Sequence, residues 1–207
     1  MAKRTLANAA MSLVSVVLLS ATLSFGQSRG YGMGAGDVSF NAGFGNLNGI
    51  DNNRHTSFGG SGGVNSGRAA IAGEYSYLPM GSITGSGVVG KENLQQFGVA
   101  LRLSLLGRAR ANPYFLVAGG FDRLTATASS SGLSARASQS GGYVGLGGGA
   151  NLLLALHWGI RPEFRWERQQ FAATRVGGID VAGGGLNDVR GTVGLFYTWG
   201  GNSCRKR

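Results

Sequence analysis

The chain has 207 residues, a length suited to one domain, and carries a net charge of +10 from 19 Lys and Arg against nine Asp and Glu. Charged residues make up only 14%, hydrophobic ones reach 43%, and 39 Gly occur beside three Pro. That excludes collagen, which needs a Gly-X-Y period and more Pro, and a disordered Gly-rich chain, which holds less apolar surface. The basic residues are spread along the chain, apart from short clusters at the two ends and in one turn, and no nucleic-acid motif accompanies them, so nucleic acid is not an expected partner.

The first element is a targeting segment. Lys3 and Arg4 precede the apolar run MSLVSVVLLSATL at 11–23, and SFG before Gln27 places small residues at the −3 and −1 positions of a cleavage site. This predicts a secretory signal peptide over residues 1–26, then a short N-terminal segment 27–35. The run is short for a spanning helix. The single Cys, Cys204, lies in a polar, basic tail at 200–207, so no disulfide framework is expected. No zinc spacing is present, and neither a metal nor a cofactor is expected.

Beyond the signal the dominant pattern is alternation with period two, interrupted by Gly, Ser and Asn-rich gaps, which predicts strands and turns. The first strand is DVSFNAGF at 37–44, with Val38, Phe40, Ala42 and Phe44 on one face. A polar loop is expected over 45–66. A second strand at 68–79 sets Ile71, Tyr75 and Tyr77 against Glu74 and Ser76, and Pro79 to Gly81 reads as a tight turn. A weak third strand covers 82–90, and KEN closes a short loop. The fourth, 94–106, opposes Phe97, Val99, Leu101, Leu103 and Leu105 to Gln96, Gly98, Ala100, Arg102 and Ser104. GRARANP, with Arg108 and Arg110, is then a basic turn expected to meet water rather than a ligand. The strand YFLVAGGFDRLTA is apolar on both faces and cannot be oriented. After a loop at 129–141, the strand 142–155 opposes Val144, Leu146, Ala150 and Leu152 to Tyr143, Gly145, Gly147, Gly149 and Asn151. IRPEFRWERQQF at 160–171 alternates Arg161, Glu163, Arg165, Glu167 and Gln169 with Ile160, Pro162, Phe164 and Trp166. A Gly-rich loop at 173–187 leads to the last strand, 188–199, whose Val189, Val193, Leu195, Tyr197 and Trp199 oppose Arg190, Thr192, Gly194 and Thr198.

Eight strands joined by turns and loops suit a closed meander, with both termini at the short-turn end. Eight strands leave an interior just wide enough for side chains. The polar face carries Gly and other small residues, so it suits the inside, and the large apolar face then looks outward, where lipid is the favourable medium. Strands of this length also suit a tilted membrane span.

The chain resembles the eight-stranded outer-membrane β-barrels of the OmpA-like and opacity types. The resemblance rests on the signal peptide and on GEYSYLP, NPYFLVAGG, GIRPEFRWERQQF and GTVGLFYTW, and covers about residues 36–199. It implies an all-β, eight-stranded, antiparallel up-and-down transmembrane β-barrel in the outer membrane of a diderm bacterium, reached after Sec export. Outer-membrane lipid, the barrel insertion machinery and periplasmic chaperones are the implied partners, and the chain is expected to be a monomer without enzymatic activity. One departure is the tail GGNSCRKR after Trp199, where such barrels usually end on an aromatic residue.

On this reading the lumen holds an ion-pair network of Glu74, Arg102, Arg161, Glu163, Arg165, Glu167 and Arg190, and Tyr77, Phe97, Phe164, Trp166, Tyr197 and Trp199 are lipid-interface aromatics. Pairing is required, because an unpaired charge in a narrow low-dielectric space costs several kcal/mol. The network serves either as a structural plug or as the gate of a narrow porin-like pore. GLGGG near 145–149 lacks the Lys-Ser/Thr and the helix of a phosphate loop. His55, expected in a loop, and His157, in a turn, have no Ser and acid at catalytic spacing, so no catalytic residue is expected. The alternatives are surface adhesion through loops 45–66, 129–141 and 173–187, and a soluble secreted ligand-binding barrel.

Overall fold

The computed structural model describes residues 35–48, 54–85, 88–106, 110–130, 133–176, 179–181 and 183–200. The expected signal peptide with its expected cleavage site, Arg108, and residues 201–207 with Cys204 lie outside the described residues.

Ten strands form among the described residues: β1 Gly36–Asn48, β2 Arg54–Ser66, β3 Ala69–Gly85, β4 Val88–Ser104, β5 Ala111–Ser130, β6 Leu133–Leu153, β7 Trp158–Phe171, β8 Thr174–Val176, β9 Ile179–Val181 and β10 Gly185–Trp199. Eight of them close an antiparallel barrel in the order β1-β10-β7-β6-β5-β4-β3-β2, while β8 and β9 form a separate small hairpin. Closure brings the two ends of the barrel together, with Gly36 opposite Trp199. A path along directly opposed residues runs from Val38 through Gly62, Gly73, Val99, Gly119, Val144, Arg168 and Asn187 and returns to β1 at Asn48, ten residues further on. For eight strands that stagger corresponds to a tilt of about 40°.

Alternation decides which side chains turn in. Along β7, Arg161, Arg165, Glu167, Gln169 and Phe171 are buried, whereas Phe164, Trp166, Arg168 and Gln170 are exposed. The exterior is apolar all round: Phe40, Phe44, Phe58, Val99, Phe115, Phe121, Leu146, Phe164 and Val193 are each 45–77% exposed. With the stagger taken into account, this surface forms a band roughly 25 Å tall. Its lower edge lies near Trp158, Tyr197 and Trp199, and its upper edge near Phe44, Phe97, Phe121 and Trp166. β5, which the sequence left unoriented, sends Tyr114, Leu116, Ala118 and Asp122 inward and Phe115, Val117 and Phe121 outward.

The barrel has the expected number of strands, but one of them, β2, comes from an expected loop, and one expected strand, 82–90, is not a strand of its own. The expected loop 45–66 is the end of β1 and the whole of β2, apart from residues outside the described set. Its polar look arises because His55, Ser57, Gly59 and Ser61 face the lumen, while two of the outward positions are Gly60 and Gly62. Conversely, the expected turn at Pro79 lies inside β3. The chain absorbs the missing proline donor by a register shift between Pro79 and Ser82. Residues 82–90 are therefore not a separate strand but the two arms at the tip of the β3–β4 hairpin, and KEN lies within β4. The expected loop 129–141 is likewise mostly ladder at the tip of β5–β6, and the expected loop 173–187 holds β8, β9 and the start of β10.

Candidate functional site: the filled lumen

Three levels of side chains occupy the lumen. At the level of the chain ends, Arg161 Nη2 donates to Asp37 Oδ1 at 2.9 Å and Arg161 Nε to Asn151 Oδ1 at 2.6 Å. The same guanidinium lies 4.8 Å over the ring of Phe196. Midway, Arg165 is a hub. Its guanidinium bonds Glu74 through Nη1 at 2.6 Å and Nη2 at 3.0 Å, Glu163 at 2.6 Å and Glu167 at 3.3 Å. Higher up, Arg190 Nη2 lies 2.5 Å from Glu167 Oε2 and donates to Gln96 Oε1 at 2.8 Å. His55 Nε2 lies 2.9 Å from Asp188 Oδ1. Arg102 is less tightly held, donating to Ser61 Oγ at 3.1 Å with Glu163 at 3.8 Å.

Two tyrosines brace the middle level. Tyr114 donates its hydroxyl to Glu163 at 2.7 Å, and Tyr143 donates to Glu74 at 2.9 Å. Both lean across neighbouring strands, which requires glycine there. A Cβ at Gly149 would stand 2.7 Å from the Tyr114 hydroxyl, and one at Gly98 would collide with the Tyr143 hydroxyl. Their rings also join Ala100, Leu116 and Ala118 in an apolar cluster on the wall of β4, β5 and β6.

Above the ions the lumen turns apolar. Leu78, Leu94 and Phe171 pack together with Met80, Leu124 and Leu186, and Leu47 is 1% exposed. The expectation of a polar lumen is therefore corrected at this level, where the strands leave the apolar band and an inner greasy cap replaces charge.

All seven charged residues singled out from the sequence converge inside. The alternating run on β7 does not form one continuous ladder, however. Arg165 pairs with both flanking glutamates, but Arg161 turns to Asp37 on β1 instead of Glu163. Sequence reasoning missed Asp37, Asp122, Asp188 and His55. Asp37 and Asp188 sit two residues from Ser39 and Arg190 on the same faces, which was the available signal. Asp122, directly opposite Gln96, was hidden in the unoriented strand, and His55 in the expected loop. With them the lumen holds Asp37, Glu74, Asp122, Glu163, Glu167 and Asp188 against four arginines, among the described residues. The acidic excess reverses the basic excess of the seven expected residues. Both ring nitrogens of His55 are engaged, by Asp188 and by the Thr56 carbonyl, and His157 bonds the Thr198 carbonyl, so neither histidine is paired with a nucleophile. Of the aromatics, Phe97, Phe164, Trp166 and Trp199 are exposed, and Tyr77 and Tyr197 are half-buried.

Solved structures share this architecture. Neisserial surface protein A aligns with a TM-score of 0.59 at 12% identity, over 81% of this chain and 99% of its own. The fold is that of the eight-stranded outer-membrane barrels. Ail, the attachment invasion locus protein of Yersinia pestis, aligns with this outer-membrane-type barrel at a TM-score of 0.55 and 13% identity, over 81% of this chain and 100% of its own. A major outer membrane protein from Thermus thermophilus gives 0.50 at 8% identity, over 78% of this chain and 99% of its own. No protein-family model matches the sequence, and no curated protein matches it.

Proposed function

We propose that the chain is a structural, non-conducting barrel of the outer membrane of a diderm bacterium. The exterior supports the location. A continuous apolar belt all round the molecule would, in water, far exceed the few hundred Å² that monomers leave exposed. Its height matches the apolar band of membrane barrels, with Tyr77, Phe97, Phe164, Trp166, Tyr197 and Trp199 as lipid-interface aromatics. The partners are outer-membrane lipid, the insertion machinery and periplasmic chaperones, and the protein acts as a monomer after Sec export and loss of residues 1–26.

The observation that carries the non-conducting reading is the filled cross-section. Asp37 and Phe196 at one end, Glu167 and Asp188 above them, and Leu47, Leu78 and Leu94 at the other end are each at most 1% exposed. An ion would have to pass a paired network and then an apolar cap, each unfavourable to enter. Planar-bilayer recordings of the wild type and Glu163→Ala test it. Both proteins are expected to be silent, and resolvable single-channel steps in the wild type would overturn the plug in favour of a narrow pore.

A second reading, surface binding, is favoured by the two hairpins β3–β4 and β5–β6, which continue roughly 20 Å beyond the apolar band. Shortening both while keeping the barrel intact would abolish attachment of expressing cells to host surfaces if the hairpins bind, and would leave it unchanged if they do not.

A further inference from the structure

The filled lumen does not close its own charge balance. Six carboxylates face inward against four guanidiniums among the described residues, and a protonated His55 would make only the fifth cation. The pairing leaves one acid out. Asp37 takes Arg161, Glu74 and Glu163 take Arg165, Glu167 takes Arg165 and Arg190, and Asp188 takes His55 and Arg190. Asp122 is 3% exposed, and neither of its carboxyl oxygens has a hydrogen-bond partner. Gln96, directly opposite on β4, donates its amide nitrogen to Glu167 and accepts from Arg190 through its oxygen.

Asp122 stands at a seam. Two residues further along β5, Leu124 packs against the apolar cap of Leu78, Leu94 and Phe171. The ion pairs lie beneath. Asp122 follows Phe121, an aromatic of the belt's upper edge, so its level is above the lipid-facing span. A second unpartnered group shares that level. Gln169 on β7 is 0% exposed, and both its amide nitrogen and its amide oxygen are without a partner. After correction for the ten-residue stagger, Asp122 and Gln169 lie within about one residue step of one height. Gly141, on β6 between them and directly opposite Asp122, has no side chain, and Tyr143 of the same strand gives its hydroxyl to Glu74 lower down. The other charged and titratable groups of this level are His55 of β2, Glu167 of β7, and Asp188 and Arg190 of β10, and they are engaged with one another. Arg102, whose Nε and Nη1 have no hydrogen-bond partner, lies on β4 six residues below Gln96, roughly 15 Å down the axis.

An ionised carboxylate in that place has neither water nor a counter-charge of its own. A neutral acid has one hydroxyl and one carbonyl to satisfy, which suits a primary amide with one acceptor and one donor group. We propose that Asp122 is a proton-binding site: the folded barrel holds it as the neutral acid facing Gln169, and its ionisation loosens the joint between the ionic plug and the apolar cap. One proton then leaves to solvent and one negative charge stays on Asp122. Arg190, the guanidinium of this level, is already held by Glu167 and Gln96, so compensating the new charge disrupts pairs that close the lumen. The end of the barrel opposite the chain termini is thereby made sensitive to alkaline pH. The inference rests on the closed lumen. Single-channel steps in the wild type would sink that reading, whereas the following experiment addresses the proton alone.

Full-length protein carrying carbon-13 at its aspartate carboxyl carbons is folded in detergent micelles and followed by NMR through a pH titration. At neutral pH one of the five aspartate resonances is expected at the position of a protonated acid, moving to the carboxylate position only in alkaline buffer. It is expected to be missing from Asp122→Asn and retained in Asp188→Asn, which removes a partnered carboxylate of the same level. Urea titration of the lipid-reconstituted protein gives a second readout. The unfolded chain releases the Asp122 proton near the ordinary value of about 4 while the folded barrel keeps it, so stability falls as pH rises. Relative to Asp122→Asn, the folding equilibrium of the wild type is expected to fall about tenfold per pH unit above that value, levelling off where the resonance moves. Unaltered heat-modifiable mobility on gels confirms that each variant is folded, and the wild-type spectrum alone decides the protonation state. Five carboxylate resonances in the wild type at neutral pH, a protonated resonance that survives in Asp122→Asn, or a stability ratio that does not change with pH would overturn the proposal.

Discussion

Arg165 shows how a single side chain organises the interior. It faces Glu74, Glu163 and Glu167 within 3.3 Å, so its removal leaves three carboxylates without their shared counter-charge in a space closed to water. Arg165→Ala is expected to destabilise the barrel by about 3–5 kcal/mol, and Arg165→Lys by less, because a point ammonium keeps the charge but loses the fork. Urea titration of the folded, lipid-reconstituted protein measures both; an Arg165→Ala protein as stable as the wild type would contradict the hub. Gly98 makes the complementary case. Gly98→Val pushes against the Tyr143 hydroxyl and breaks its bond to Glu74, so a loss of about 1–3 kcal/mol is expected in the same titration. At this scale much of the site was legible. Charges spaced by two along 161–167 must share a face whatever the fold. What could not be read was partnership across strands: Arg161 bonds Asp37, 124 residues away, because closure sets β1 beside β10 and β10 beside β7, and Ser39 on the same face of β1 also accepts from Arg161 Nη1 at 3.5 Å.

At the scale of elements, legibility depended on how much apolar contrast a strand presents. β4, β7 and β10 have bulky outward faces and small or charged inward ones, and their alternation is plain in sequence. β2 has glycine on both faces and β5 has large residues on both, so one read as a loop and the other had no direction. Pro79 read as a turn because a proline removes a ladder donor; in the closed sheet a bulge suffices. The upper halves of β3–β4 and β5–β6 are ladders without an apolar band, and their polarity concealed them. Since they add pairing but no lipid-facing surface, replacing residues 83–90 by a two-residue turn is expected to leave insertion and heat-modifiable mobility intact. Loss of the folded band on unheated gels would show that the hairpin is needed for the barrel.

For the whole molecule, one physical inversion accounts for sequence and structure together. A soluble barrel hides its large apolar residues; this one displays them and hides its arginines and carboxylates. The stagger of ten residues ties the two faces, since the same tilt that gives a belt roughly 25 Å tall also sets the lumen width that glycine must line and ion pairs must fill. The inversion is tested most directly by spin-label accessibility in membranes. Cys204 is first replaced by Ser, and single cysteines are then introduced at Val99, Leu101, Phe164, Trp166, Arg168 and Gln170. Labels at the first four sites are predicted to relax with oxygen and to resist a water-soluble nickel complex, with the preference reversing at Arg168 and Gln170. Nickel access at Phe164 and Val99 equal to that at Gln170 would contradict the account.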